Sequence, residues 1–291
     1  MSTWVVLALV SAFLTSFLPI INKRLLADTP VSVVAWGVNA LSLPILGSVA
    51  LVLFPLPAVD RVFWLGVLGS ALLNLAATVA STQALKLGEA SLVTPVLTFN
   101  PAFTLLIASV TLGEIPRASG VLGVLLVLAG GYVLNLRAMT SGWWRPLVVL
   151  VTEPAMALAV LASFLWGLTP IAEKVAIQHT QPSNPPLVAF GSTALMVLFL
   201  APGLRRTGAH PRQHLIARWP GFVQGALIAG IAPIFGFTAI SLGLVGYVSA
   251  IFKLSAVLSI LWAALFLRED VTSNRLIGAL MMVLGAVVLG L

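Results

Sequence analysis

Between Gly246 and Leu267 the chain carries one charged residue, Lys253, in an otherwise apolar helical run. An ammonium near the middle of a membrane helix costs about 2.5–3.5 kcal/mol on insertion scales, so it must face water, a partner or an anion. Chemically it suits a carboxylate or a phosphate. The alternatives are an ion pair with an acidic residue such as Glu173, or snorkelling of the long stem to the interface. Ser249 and Ser255 cluster with it in the same run. Thr94, Thr98 and Asn100 cluster beside Pro101 at the equivalent depth, and Asn74, Thr78, Ser81 and Thr82 share one face of another helix by their three-, four- and seven-residue spacing. Such polar faces either line a cavity or hydrogen-bond neighbouring helices at roughly 0.6–2 kcal/mol each. Trp166, beside Pro170, could stack on a ligand or serve in packing. The candidate substrate-binding set is therefore Lys253, Asn100, Asn74, Thr78, Thr98, Ser249 and Trp166.

Several chemistries lack residues. All eight acidic residues, among them Glu89, Glu114, Glu173 and Glu269, fall at the ends of apolar runs or between them. A proton-coupled carrier needs a carboxylate or histidine inside the membrane, so the sequence predicts a uniporter or exchanger without a dedicated proton relay. His179, His210 and His214 are scattered outside the apolar runs and cysteine is absent, so no cofactor, metal site or disulfide is expected, and no catalytic cluster that would make the chain an enzyme. Glu114 and Glu269 are expected to be structural, each at the positive end of the following helix and near Arg117 or Arg275.

These residues are positioned by helices in a bilayer. With 60% apolar and 8% charged residues over 291 positions, the chain has too little polar surface to coat a soluble domain. The fold class expected is all-α integral membrane. Ten stretches have spanning length and composition: Thr3 to Ile21, Val31 to Phe54, Val62 to Leu85, Glu89 to Leu112, Ala118 to Leu136, Pro154 to Val175, Pro186 to Leu200, Trp219 to Ser241, Gly246 to Leu267 and Ser273 to Gly290. The absence of two-residue alternation argues against a barrel. Prolines 19, 44, 95, 101, 170 and 233 lie within spans, where each removes a backbone donor and can bend a helix.

The chain repeats itself. Ala84 to Leu136 aligns without a gap on Ala239 to Leu291, pairing Glu114 with Glu269, Gly123 with Gly278 and Gly130 with Gly285. Upstream, SFLPIINK (Ser16 to Lys23) resembles GLTPIAEK (Gly167 to Lys174), which pairs Lys23 with Lys174. The domains are thus a first five-helix repeat (1–136), a connector (137–153) and a second five-helix repeat (154–291). Five spans per repeat force the second copy into the membrane upside down. Inverted-topology repeats are typical of secondary transporters, which hold substrate near the midplane where the halves meet. The glycines at 123, 130, 278 and 285 are read as helix-packing positions.

The paired ends Leu112-Gly113-Glu114 and Leu267-Arg268-Glu269, each followed by two glycines at fixed spacing, resemble the halves of an EamA-type member of the drug/metabolite transporter superfamily over essentially the whole chain. That resemblance implies a central cavity formed by helices one, three, four, six, eight and nine, open to one side at a time. It also implies a cytoplasmic amino terminus. The basic residues oppose this: Arg61, Arg117 and Lys174 would lie inside and eleven of the fifteen outside, so the charge count favours both termini outside.

The functional reading is a multi-pass carrier of the cell inner (plasma) membrane. It would move a small polar metabolite, an amino acid or another carboxylate- or phosphate-bearing solute, anionic or zwitterionic, by alternating access. The alternatives are a flippase for a phosphate-bearing lipid and a non-transporting membrane partner subunit. The net charge of +7 is spread over short loops, which suits contact with anionic membrane lipids and not with nucleic acid.

Overall fold

A computed structural model describes residues 2–88, 90–135, 153–206, 211–267 and 273–290. Positions 137–152 of the expected connector, Glu89, Arg268 and Glu269 lie outside the described residues. The described chain forms ten helical spans. The second, Val31–Leu53, runs as α-helix to Ser48 and as π-helix over its last turn. The third is Arg61–Leu87, the fifth Ala118–Asn135, the sixth Pro154–Gln178, the seventh Pro185–Arg206, the eighth Trp219–Leu242 and the tenth Ser273–Gly290. The remaining three are interrupted. The first is Thr3–Thr15 then Leu18–Leu26, the fourth Ala90–Leu97 then Asn100–Thr111, and the ninth Val245–Phe252 then Leu254–Leu267. Nine spans are long and apolar enough to cross a bilayer, and the fifth is shorter.

Two of the breaks follow from proline. Pro19 and Pro101 sit in the first turn of the second half-helix of spans one and four, where a missing N–H is tolerated. Span nine breaks without a proline, at the position that the repeat aligns with Thr98. There Lys253 N–H donates to the Ala250 carbonyl at 3.1 Å and Ser255 Oγ to the Phe252 carbonyl at 2.8 Å, which tightens the turn and occupies a freed acceptor. The break in span one is satisfied from span nine: Ser259 Oγ donates to the Ser16 carbonyl at 2.8 Å and Trp262 Nε1 to Ser16 Oγ at 2.7 Å.

The glycines report how the halves are inserted. A Cβ on Gly123 would lie 2.9 Å from the Gly285 carbonyl, and one on Gly130 would lie 2.6 Å from the Gly278 carbonyl. Spans five and ten are therefore antiparallel and touch backbone to backbone. They are also each other's counterparts in the repeat, so the pairs 123–285 and 130–278 exchange under a two-fold axis lying in the membrane plane. The two halves have inverted topology. Spans three and six meet in the same way, since a Cβ on Gly66 would come within 2.8 Å of Ala176 Cβ and 2.9 Å of the Ala172 carbonyl.

Candidate functional site

A cavity of about 400 Å³ lies at the seam between the repeats. Span one gives it Ser11 and Thr15, span three Asn74, span four Asn100, span six Trp166, Thr169, Pro170 and Glu173, span eight Pro233 to Ile240, and span nine Ser249, Phe252, Lys253 and Ser255. These are the six helices that the resemblance implied.

Local geometry brings the polar groups inward. Gly167 lets the start of the second half of span four press against span six, because a Cβ there would meet Phe103 Cβ at 2.7 Å and the Asn100 carbonyl at 3.1 Å. Thr104 Oγ1 then bridges the two by donating to the Gly167 carbonyl at 2.9 Å. Asn100 and Trp166 are held beside each other as a result. Asn100 Oδ1 and Ser249 Oγ are buried with no hydrogen-bond partner in the protein. Buried polar atoms are nearly always paired, so two orphans on one cavity wall mark where water or a ligand completes the bonding. Lys253, half-buried at the span-nine break, forms no ion pair with a described residue.

Five of the seven expected residues therefore share the cavity: Lys253, Asn100, Asn74, Ser249 and Trp166. Thr78 and Thr98 do not. Thr78 is exposed on the outside of span three and donates to the Asn74 carbonyl at 2.7 Å. Thr98 turns toward span five, lying 3.5 Å from where a Cβ on Gly131 would sit, and donates to the Pro95 carbonyl at 2.6 Å. The reason is common to both: a helical threonine satisfies its own hydroxyl on the preceding turn, so its polarity does not require a wet surface.

Glu173 corrects the expectation that every acidic residue lies at the edge. It is inside span six, 8% exposed, and faces the cavity, with Ser70 Oγ donating to its Oε1 at 3.0 Å. Trp166, Pro170 and Glu173 follow a four-then-three spacing on one helical face, and that periodicity is the signal that could have revealed it. The premise for excluding an intramembrane acid therefore fails. Nor does Glu173 pair with Lys253, although both side chains line the one cavity.

At the membrane face where span one begins, spans four, six and nine are tied together by a polar cluster. Gly113, at φ 66, turns the chain after span four in a conformation that favours glycine, and Glu114 follows it. Glu114 Oε1 accepts from Lys174 Nζ of span six, and Oε2 accepts from the Val245 N–H of span nine at 2.7 Å. Lys174 Nζ also donates to the Gly243 carbonyl at 2.7 Å. Glu114 thus caps a helix of the opposite repeat. It was expected to serve its own following helix with Arg117, whereas that residue's N–H instead donates to Tyr247 Oη at 2.9 Å. Nearby, Asp60 caps span three through Val62 and Phe63 N–H at 2.9 and 3.0 Å and meets His179 Nδ1 at 2.7 Å.

The sequence matches the EamA-like transporter family over residues 2–136 and 153–291. The chain belongs to that family. It is a multi-pass membrane transporter of a small-molecule substrate, and not an enzyme. Comparison with curated proteins gives no match. A crystal structure described only as that of a protein superimposes with a TM-score of 0.77 at 18% identity, covering 99% of this chain and 96% of that one. At that identity the likeness shows the fold alone.

Proposed function

We propose that this EamA-like protein is an inner-membrane secondary carrier that moves a small anionic or zwitterionic metabolite by alternating access, with Lys253 holding the carboxylate or phosphate. The observation carrying this reading is the half-buried Lys253 ammonium facing a cavity of about 400 Å³ without an ion-pair partner among the described residues. Of the two unpartnered atoms on these walls, Ser249 Oγ can donate to the bound anion and Asn100 Oδ1 can accept from a donor such as the ammonium of a zwitterion; Asn74 adds a second amide, and Trp166 offers a ring face. The break of span nine puts the ammonium where two half-helices meet, as in other carriers that bind cargo at discontinuous helices. In this reading the Lys174–Glu114–Val245 cluster is a seal at the face where span one begins, and alternation consists of opening it while the opposite end of the cavity closes.

A thermal-shift screen of amino acids, organic acids, phosphorylated metabolites and nucleotides tests the reading, because a ligand that binds only the folded state raises its melting point. The expected result is a carboxylate- or phosphate-bearing compound that stabilises wild type and fails to stabilise Lys253→Gln. Full binding and transport in both Lys253→Ala and Lys253→Gln would overturn the anionic-substrate assignment.

A further inference from the structure

The carboxyl of Glu173 has no place in the substrate reading above. It is buried in span six and points into the cavity. The hydroxyl of Ser70 is its hydrogen-bond donor. The groups around it leave its charge unbalanced at close range. Span three brings Ser70 and Asn74, and it has no titratable residue between Arg61 and Lys86. Spans four, seven and eight bring none over Ala90–Thr111, Pro185–Leu204 and Trp219–Leu242. Span nine brings Lys253 across the cavity, while Tyr247 turns to Arg117. On span six itself, Lys174 is engaged with Glu114 and the C-cap His179 with Asp60. Removing an ionised carboxylate from water without a contacting cation is costly, and taking up a proton relieves that cost.

Its neighbour in the chain supplies the second half of the argument. Lys174 holds the seal, through Glu114 and the Gly243 carbonyl. A motion of the last turns of span six away from Glu114 and Gly243 breaks these two bonds and carries Glu173, the adjacent residue, toward water entering from the opened face. The buried arrangement favours the neutral acid and a hydrated one favours the carboxylate.

We propose that Glu173 is a proton-binding site whose occupancy is linked to the seal at Lys174 and Glu114. A proton adds to one carboxylate oxygen, giving the neutral acid while this face is closed. On opening, the O–H bond breaks and the proton passes to water on that face. By linkage the coupling is reciprocal: loss of the proton shifts the population toward the open face, and opening promotes loss. The inference rests on reading the seam cavity as the transport site, and it makes the carrier proton-linked.

The proton itself is the probe. Purified protein in lipid bilayers is titrated from mildly acidic to alkaline conditions. Infrared difference spectra follow the protonated-carboxyl stretch. In parallel, hydrogen exchange of the Gly243 to Val248 segment, corrected for intrinsic rates, follows the seal. In wild type a carboxyl band disappears as pH rises and protection of the segment falls with it, by up to about tenfold per pH unit. In Glu173→Gln that band is missing and protection no longer depends on pH. Ser70→Ala, which removes only the hydrogen bond, keeps the titration with a displaced midpoint, and it preserves the test if Glu173→Gln does not fold. A band and protection profile unchanged in Glu173→Gln, or wild-type protection that ignores pH, overturns the proposal. A Lys253-dependent thermal shift surviving that outcome would sink the proton site alone. An intact titration with no stabilising anion would sink the substrate reading alone.

Discussion

Replacing Lys174 with Met should open the sealed face, and the structure sets the size of the effect. The side chains of Lys174 and Glu114 are 11% and 10% exposed, so solvent screens their attraction little. Removing one partner of such a pair leaves the other charge buried and uncompensated, at about 3–5 kcal/mol. Glu114 would keep only the Val245 N–H, and the Gly243 carbonyl would lose its Lys174 donor. In the opposite state water reaches both groups, so the penalty falls on the sealed state. Taking about 3 kcal/mol, the low end, the balance between sealed and open states moves by about 10²-fold. The chain has no native cysteine, so a single cysteine at Ser255, on the cavity wall, reports access. A membrane-impermeant maleimide applied from the face where span one begins should label it at least tenfold faster in Lys174→Met than in the parent. Lys174→Met with Glu114→Met should return labelling toward the parent rate, because no orphaned charge remains. Unchanged labelling in a folded Lys174→Met, or a double variant as open as the single, would refute the reasoning.

Three further outcomes follow from the packing. Gly278→Val should lower the thermal midpoint by the equivalent of about 1–3 kcal/mol or more, since its Cβ would sit 2.5 Å from Leu134 N and 2.6 Å from the Gly130 carbonyl, both backbone. Gly203→Ala, where nothing lies within 4 Å of the added carbon, should be neutral or slightly stabilising in the same melt. Asn184→Ala should cost about 1–3 kcal/mol, because the fully buried amide donates to the Ala50 carbonyl at 2.9 Å while its oxygen accepts from Leu187 N–H at 3.1 Å; chemical unfolding in detergent checks this. Finally, the Phe63 N–H, followed by His179, holds the Asp60 carboxyl below its ordinary value. A depressed acid contributes stability that is full above its unfolded pKa and is lost as pH falls through the folded one. Asp60→Asn should therefore flatten the acid limb of the stability profile without changing the alkaline limb.

Much of this protein could be read along the chain. Membrane class, the ten spans and the two repeats are properties of composition and of register at a constant offset, and neither depends on how helices rotate. Lys253 stood out for the same reason, as a charge where hydropathy forbids one. Inversion followed from five spans per repeat, and the Gly123–Gly285 and Gly130–Gly278 contacts display it. Span ends were less legible. Span one continues to Leu26 and span seven to Arg206, past the apolar runs, because helix geometry persists into polar turns.

What tertiary structure decided was direction. Asn74 and Thr78 share a helical face in sequence, yet one lines the cavity and the other is exposed, since the rotation of span three against span six sets which positions meet. Glu173 and Lys174 are adjacent in the chain, and packing sends one to the cavity and the other to the seal. The seal itself was hidden for a deeper reason. The repeat pairs Lys174 with Lys23, Glu114 with Glu269 and Gly243 with Gly88, so the linear sequence is almost indifferent to which end of the cavity is shut. Choosing one end breaks that symmetry, and only contacts between the two halves can make the choice.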